Sequence, residues 1–68
     1  MANHVYKTIE ITGSSTSSVD DAVAGAIAKA SETVRNLDSF EVTQIRGHIE
    51  NGSVAHFQVG MKIGFRLE

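Results

Sequence analysis

Apolar and polar residues alternate along the last third of the chain. The apolar set occupies every second position: Ala55, Phe57, Val59, Met61, Ile63, Phe65 and Leu67. Strict period-two alternation predicts one long β-strand with a single apolar face. At ~3.3 Å per residue such a strand would extend about 45–50 Å, which exceeds the width of a compact domain of this size.

Two earlier segments, 4–12 and 40–49, alternate in the same way and are predicted to be strands. Asn51-Gly52 separates the second segment from the third. An Asn-Gly pair between alternating runs favours a type I′ hairpin, because that turn needs a positive φ at both central residues. The second and third strands are therefore predicted to be an antiparallel pair.

A two-residue loop at this turn sets the predicted register, which pairs Val42 with Met61 and Phe40 with Ile63. On this register Arg46 lies on the opposite face from Gln58. A bulge would shift one flank by a residue and reverse its faces. Without a bulge, the face away from the helix carries Ser39, Glu41, Thr43, Ile45, Gly47, His56, Gln58, Gly60, Lys62 and Gly64.

One amphipathic helix is predicted between the first and second strands. Its apolar stripe recurs at steps of three and four residues: Val19, Ala22, Val23, Ala26, Ile27, Ala30, Val34 and Leu37. The helix would begin at Ser17 or Ser18 and run about five turns. Ser18 and Asp21 resemble a capping box. The serine-rich segment 13–18 is either a connection with a cap or an anion site at the helix N-terminus.

The predicted fold is α+β with the order β-α-β-β, a three-stranded antiparallel sheet packed on one amphipathic helix in a single domain, 1–68. A helix of about eighteen residues covers roughly 27 Å. It cannot cover the long strand, and open strand edges invite association. We therefore expect a closed, symmetric oligomer. The small residues Ala24, Gly25 and Ala28 form a helix flank that a neighbouring subunit could approach.

Composition and charge exclude several classes of function. The chain has no cysteine and a net charge of −2, so neither a disulfide framework nor a basic nucleic-acid surface is expected. Its first residues do not show the charged and then apolar pattern of a signal peptide, and it has no apolar stretch of the ~20 residues that a membrane span needs. We therefore expect a cytoplasmic protein. Its three histidines, His4, His48 and His56, have no metal-ligand spacing, and no catalytic constellation is visible. We expect no enzyme.

Gln58 is the most informative polar residue, because its amide both donates and accepts hydrogen bonds. Beside Gly60 it could read the edge of a flat heterocycle, although an ordinary exposed glutamine fits the pattern as well.

Four segments, "VYKTIEITGSS", "AVAGAIAKASETVRNLDSFEV", "IRGHIENGSVAHFQV" and "KIGFRLE", together resemble the dodecin family. The resemblance covers nearly the whole chain. It implies a hollow shell of twelve copies with flavin, FMN or riboflavin, bound between subunits for storage and sequestration. Gln58 falls on the family's flavin-reading glutamine. Asp38 and Arg46 would lie near the flavin, with Arg46 toward the FMN phosphate.

One position departs from the family pattern. Ser39, in "LDSFEV", stands where the resemblance places a flavin-stacking tryptophan. Loss of stacking, on the order of 1–3 kcal/mol per ring contact, implies a ten- to more than hundredfold weaker flavin site. By alternation Phe40 lies on the helix side and does not replace the indole. The alternative is a structural shell that has lost flavin, holding coenzyme A or nothing. In some relatives coenzyme A is bound on the shell, which by matching positions would involve Lys7, Lys29 and Arg66.

Overall fold

The protein was analysed as a computed structural model that describes residues 3–67. Its elements are β1 (Tyr6–Ser15), α1 (Val19–Ala30), β2 (Leu37–Glu50) and β3 (Ser53–Arg66). The three strands form one antiparallel sheet in the order β1-β3-β2, with β3 in the centre. The predicted α+β fold with β-α-β-β order is confirmed.

The hairpin between β2 and β3 has the predicted turn. Asn51 and Gly52 have φ values of 51° and 77°, as a type I′ turn requires at both central positions. Glu50 faces Ser53 across the turn. Further out, Val42 pairs with Met61 and Phe40 with Ile63, so both predicted pairs are confirmed.

Two bulges shift the middle of this hairpin by one residue. The register changes between His48 and Ile49, where β3 has the extra residue Ala55, and again between Val42 and Gln44, where β2 has the extra residue Thr43. Because one bulge lies on each strand, the second cancels the first. The pairs from Val42–Met61 to Ser39–Gly64 therefore keep the simple register, while the segment between the two bulges does not. A third irregularity, at Asp38, shifts Leu37 opposite Phe65.

The shift corrects the predicted faces of the middle segment. Ile45 pairs with Val59, and Gly47 pairs with Phe57. Val59 is buried in the core beneath α1, so Ile45 and Gly47 belong to the helix side of the sheet and their predicted placement on the other face is wrong. Placing Arg46 on the face opposite Gln58 was wrong for the same reason. A bulge adds a residue to one strand and exchanges the faces beyond it.

The helix is shorter than predicted. It spans 12 residues, about 18 Å at 1.5 Å per residue, instead of about five turns. Beyond Ala30 the chain tightens into i→i+3 bonds, and the Ser31 hydroxyl donates to the carbonyl of Ala28 at 2.8 Å. A serine that bonds to its own backbone competes with helix propagation. Val34 thus lies outside the helix, and Leu37 begins β2 while still packing against the core.

A serine hydroxyl organises the start of the helix. The Ser15 Oγ accepts the backbone N–H groups of Ser17 at 2.9 Å and Ser18 at 3.3 Å, and it donates to the Asp21 Oδ2 at 2.7 Å. The Ser18 Oγ accepts the N–H of Asp21 at 3.0 Å, which confirms Ser18 as the N-cap. The 13–18 segment, of which Ser15 ends β1, therefore acts as a connection and cap.

The core lies between α1 and the strands β1 and β3. Its buried members are Ala22, Val59, Met61 and Ile63. At Gly13 a Cβ would clash with the carbonyl oxygen of Ala22. A glycine is required there because α1 and β1 approach each other closely.

β2 lies beyond the reach of the helix. Every residue from 38 to 50 is exposed, including Phe40 at 51%, Ile45 at 60% and Ile49 at 71%. The molecule measures 56 × 20 × 14 Å with a radius of gyration of 14.3 Å, against ~11 Å for a compact chain of this length. Its accessible surface is 5066 Å², against roughly 4,200 Å² for a folded monomer of this mass. The excess surface area comes from the elongated shape of the sheet, which leaves apolar side chains of β2 uncovered.

Candidate functional site

The face of the sheet opposite α1, here called the open face, is almost entirely polar. Because Val59, Met61 and Ile63 of β3 are buried beneath the helix, the alternating residues of β3 and their paired neighbours lie on the other side. These residues are Thr8, Glu10, Thr12 and Ser14 of β1, His56, Gln58, Gly60, Lys62 and Gly64 of β3, and Ser39, Glu41, Gln44, Arg46 and His48 of β2.

Arg46 and Gln58 are directly paired on the open face. Ser14 of β1 faces Gln58 from the other side, so a hydroxyl, an amide and a guanidinium form one row across the three strands. Gln58 is half-buried and Arg46 is exposed. The row can donate and accept hydrogen bonds to a polar ring edge and can pair with an anion. Both residues were candidates from the sequence, but only the bulge at Ala55 places them together.

Two histidines form the next row toward the hairpin turn. His48 pairs with His56, and their rings are stacked with centroids 5.5 Å apart and 22° between the planes. The His48 Nε2 lies 3.6 Å from the Glu50 Oε2. The sequence reasoning missed this pair. The Asn51-Gly52 turn predicts that the two histidines lie near each other, but only the bulge at Ala55 pairs His48 directly with His56.

Asp38 and Ser39 lie at the far end of the same sheet. Ser39 pairs with Gly64, where an added Cβ would come 3.1 Å from the Ser39 Oγ. The open face has a cavity of about 360 Å³ here, lined by Thr8, Glu10, Ser39, Phe40, Glu41, Lys62 and Gly64. A smaller cavity of about 110 Å³ lies on the helix side, lined by Ile27, Leu37, Asp38, Ser39, Phe40 and Ile63. Ser39 borders both.

One subunit does not bring all the predicted flavin residues together. Asp38 is next to Ser39 in sequence, and Arg46 is paired with Gln58. Ser39 is paired with Gly64, which is six residues from Gln58 along β3. Six strand residues span roughly 20 Å. A ligand that contacts both groups would therefore need surface from more than one copy.

The three predicted coenzyme A residues are spread over three elements, β1, α1 and β3, and over both faces of the sheet. Lys7 pairs with Phe65, and Arg66 pairs with Tyr6, so by alternation the two side chains leave opposite faces at the same end of the sheet. Lys29 lies in the last turn of α1, with its Nζ 3.6 Å from the Glu32 Oε1. Lys29 and Arg66 line two different cavities.

Two general properties of the described region bear on the class of function. Within residues 3–67 no group of three or more His, Cys, Asp or Glu side chains could hold a metal ion. No helix in that same range has the length and apolar character to cross a membrane.

Comparison with known proteins agrees with the fold over nearly the whole chain. The sequence model of the dodecin family matches residues 5–68. Dodecin of Thermus thermophilus is 45% identical over 64 residues, covering 94% of this chain and 93% of that protein. The structure of dodecin from Streptomyces coelicolor is 59% identical with a TM-score of 0.93, covering 100% of this chain and 97% of that one. Dodecin from Streptomyces davaonensis is 48% identical with a TM-score of 0.93 and covers 98% of each chain. The chain belongs to the dodecin family.

Proposed function

We propose that this protein is a flavin-binding protein that stores and sequesters FMN or riboflavin in a homododecameric shell, with no substrate turned over. The observation that carries the proposal is the pairing of Arg46 with Gln58 on the open face of a dodecin-family chain. An amide can read the edge of a flavin ring, and an adjacent guanidinium can meet its phosphate.

The shape of the subunit supports assembly. Phe40, Ile45 and Ile49 leave half or more of their surface exposed on one strand, and fully burying a large apolar side chain is worth about 1.5–3 kcal/mol. A neighbouring copy that covers β2 would recover this energy. The same association would bring a second copy's residues to the ligand site, whose two halves lie far apart on one subunit.

Ser39 sets the expected affinity. The cavity beside it is open and lined mainly by polar and charged residues, and a hydroxymethyl group offers no aromatic surface. Stacking of a flavin ring on an aromatic side chain is worth on the order of 1–3 kcal/mol per contact. We therefore expect flavin to bind ten- to more than hundredfold more weakly than in the Ser39→Trp variant.

Titration with FMN, followed by quenching of flavin fluorescence, tests the proposal. We expect weak, saturable quenching by the native chain and much tighter binding by Ser39→Trp. Ser39→Ala is the matched control and should behave like the native chain. Absence of quenching in both the native chain and Ser39→Trp, with the assembly intact, would refute flavin binding.

A second candidate function is favoured by Ser39 itself. A shell without the stacking residue could persist as a structural assembly that has lost flavin and holds coenzyme A through Lys7, Lys29 and Arg66. Calorimetric titration with coenzyme A distinguishes the two functions. The second function would be favoured if the native chain does not quench FMN fluorescence but binds coenzyme A with measurable heat, and if that heat is lost in Lys7→Gln and Arg66→Gln.

A further inference from the structure

We propose that His48 and His56, together with Arg46, form a phosphate-binding locus that makes the flavin site prefer a phosphorylated flavin over an unphosphorylated one, increasingly as the histidines protonate. The inference rests on the proposed function for its ligand. It adds the histidine pair as the group that determines specificity for the phosphate.

The geometry places four polar side chains in a block of two by two. Arg46 pairs with Gln58, and His48 pairs with His56. Successive residues on one face of a strand lie about 7 Å apart, so an anion above the block can reach more than one of the four. A cavity of about 400 Å³ lies beside it, lined by Ser14, Ser15, Thr16, His56 and Gln58.

The charges around the block favour an anion once a histidine is protonated. Arg46 carries a permanent positive charge, and each imidazole can add one. Glu50 is the acidic group in contact, 3.6 Å from the His48 Nε2. From β1 and the following loop the cavity is lined by Ser14, Ser15 and Thr16, which carry no charge. The nearest carboxylate of α1, Asp21, already accepts the hydroxyl proton of Ser15 at 2.7 Å.

The stacked rings explain why the ligand and the proton should be coupled. Two imidazolium groups with centroids 5.5 Å apart repel each other. A phosphate dianion beside both rings offsets that repulsion. Binding of a phosphorylated ligand should therefore take up protons, and binding of an unphosphorylated ligand should not.

The direction of the pH dependence follows from the two ordinary pKa ranges. Histidine titrates near 6.5 and a phosphate monoester loses its second proton near 6, as general values. As the pH falls from about 8 to about 6, the histidines gain charge while the phosphate keeps most of its own. We expect the ratio of FMN to riboflavin affinity to rise by about fivefold or more over this interval, the effect of one or two exposed ion pairs. At still lower pH the ratio should fall, because the phosphate is protonated.

Affinities for FMN and for riboflavin should be measured side by side by fluorescence quenching at both pH values, in buffers free of phosphate. Calorimetry in two buffers of different ionisation enthalpy then counts the protons taken up. His48→Gln and His56→Gln should abolish the rise in the ratio and the proton uptake while leaving riboflavin binding unchanged. His4→Gln is the matched control, since His4 packs beside Tyr6 at the other end of the sheet, and it should behave as the native chain.

A second measurement separates this inference from the proposed function. Inorganic phosphate should shift the ring resonances of His48 and His56 in NMR spectra of labelled histidines and should leave those of His4 unchanged. If neither flavin binds but phosphate still shifts the pair, the flavin function fails and the phosphate locus stands. If the ratio of FMN to riboflavin affinity is the same at both pH values, and phosphate shifts no histidine resonance, the locus is refuted while flavin binding stands.

Discussion

β3 and β2 have the same length of 14 residues and opposite surroundings. β3 is paired on both edges, and Val59, Met61 and Ile63 are buried beneath α1. β2 has one free edge, and all its residues except Leu37 are exposed. One subunit thus completes the packing of its central strand and leaves an outer strand uncovered. Stability of the subunit and stability of the assembly should respond to different residues.

The largest effect is expected from Met61, which is 1% exposed at the centre of the core. Met61→Ala removes buried atoms and leaves a cavity, so the free energy of unfolding should fall by about 2–5 kcal/mol. Chemical denaturation at a fixed protein concentration measures the change. Met61→Leu, which keeps the volume, should cost less than about 1.5 kcal/mol. An equal loss in both variants would contradict the packing described for β3.

The next largest effect is expected on assembly, from Phe40 on β2. Phe40 is 51% exposed in one subunit, and covering the remainder contributes part of the roughly 1.5–3 kcal/mol that a buried phenylalanine is worth. Phe40→Asp would place a charge in that contact. We expect sedimentation velocity to show smaller species whose circular dichroism is still that of a folded chain.

Phe40→Leu is the matched control and should remain assembled. An intact assembly in Phe40→Asp would mean that β2 is not covered by other copies, and the distinction between the two strands would then concern one subunit only.

A smaller effect is expected at the junction of β1 and α1. Ser15→Ala removes the acceptor for two backbone N–H groups and the donor to Asp21, with an expected loss of about 1–2 kcal/mol in unfolding free energy. Thermal or chemical denaturation should detect it. Ser14→Ala, at the exposed neighbouring residue on the open face, should change stability by less than about 0.5 kcal/mol. Equal effects would show that the hydroxyl network does not hold the helix start.

The element types, the hairpin turn and the outer pairs could be predicted because each rests on a local signal. Alternation marks the strands, and Asn51-Gly52 allows a positive φ at both central turn positions. The faces of the middle segment could not be predicted in the same way. Thr43 and Ala55 are ordinary strand residues, and nothing in their type announces that each is the extra residue of a bulge. Only the packing of β2 along β3 decides where the extra residue is absorbed.

The candidate site shows the same limit. Gln58 and Arg46 were recognised as residue types suited to a heterocycle and an anion, but their pairing, like that of the two histidines, depends on the bulge at Ala55. The helix end was missed for a related reason. The apolar stripe continues in sequence through Val34 and Leu37, whereas the Ser31 hydroxyl bond and the i→i+3 turns end the helix earlier. The apolar pattern shows which residues face the core, but it does not show where the helix ends and the next strand begins.

The smallest effect is expected at Gly25 on the exposed flank of α1. This position tests whether that flank faces solvent or contacts another copy. An added Cβ would meet nothing within 4 Å in one subunit, and alanine is favoured over glycine in a helix by about 1 kcal/mol. We expect Gly25→Ala to raise the unfolding free energy by up to that amount, measured by denaturation, with the sedimentation of the assembly unchanged. Gly13→Ala is the matched glycine control and should destabilise, because its Cβ would clash with the Ala22 carbonyl. If Gly25→Ala instead disrupts the assembly, a neighbour's backbone must lie against this flank, and the surface that depends on partners extends from β2 onto the helix.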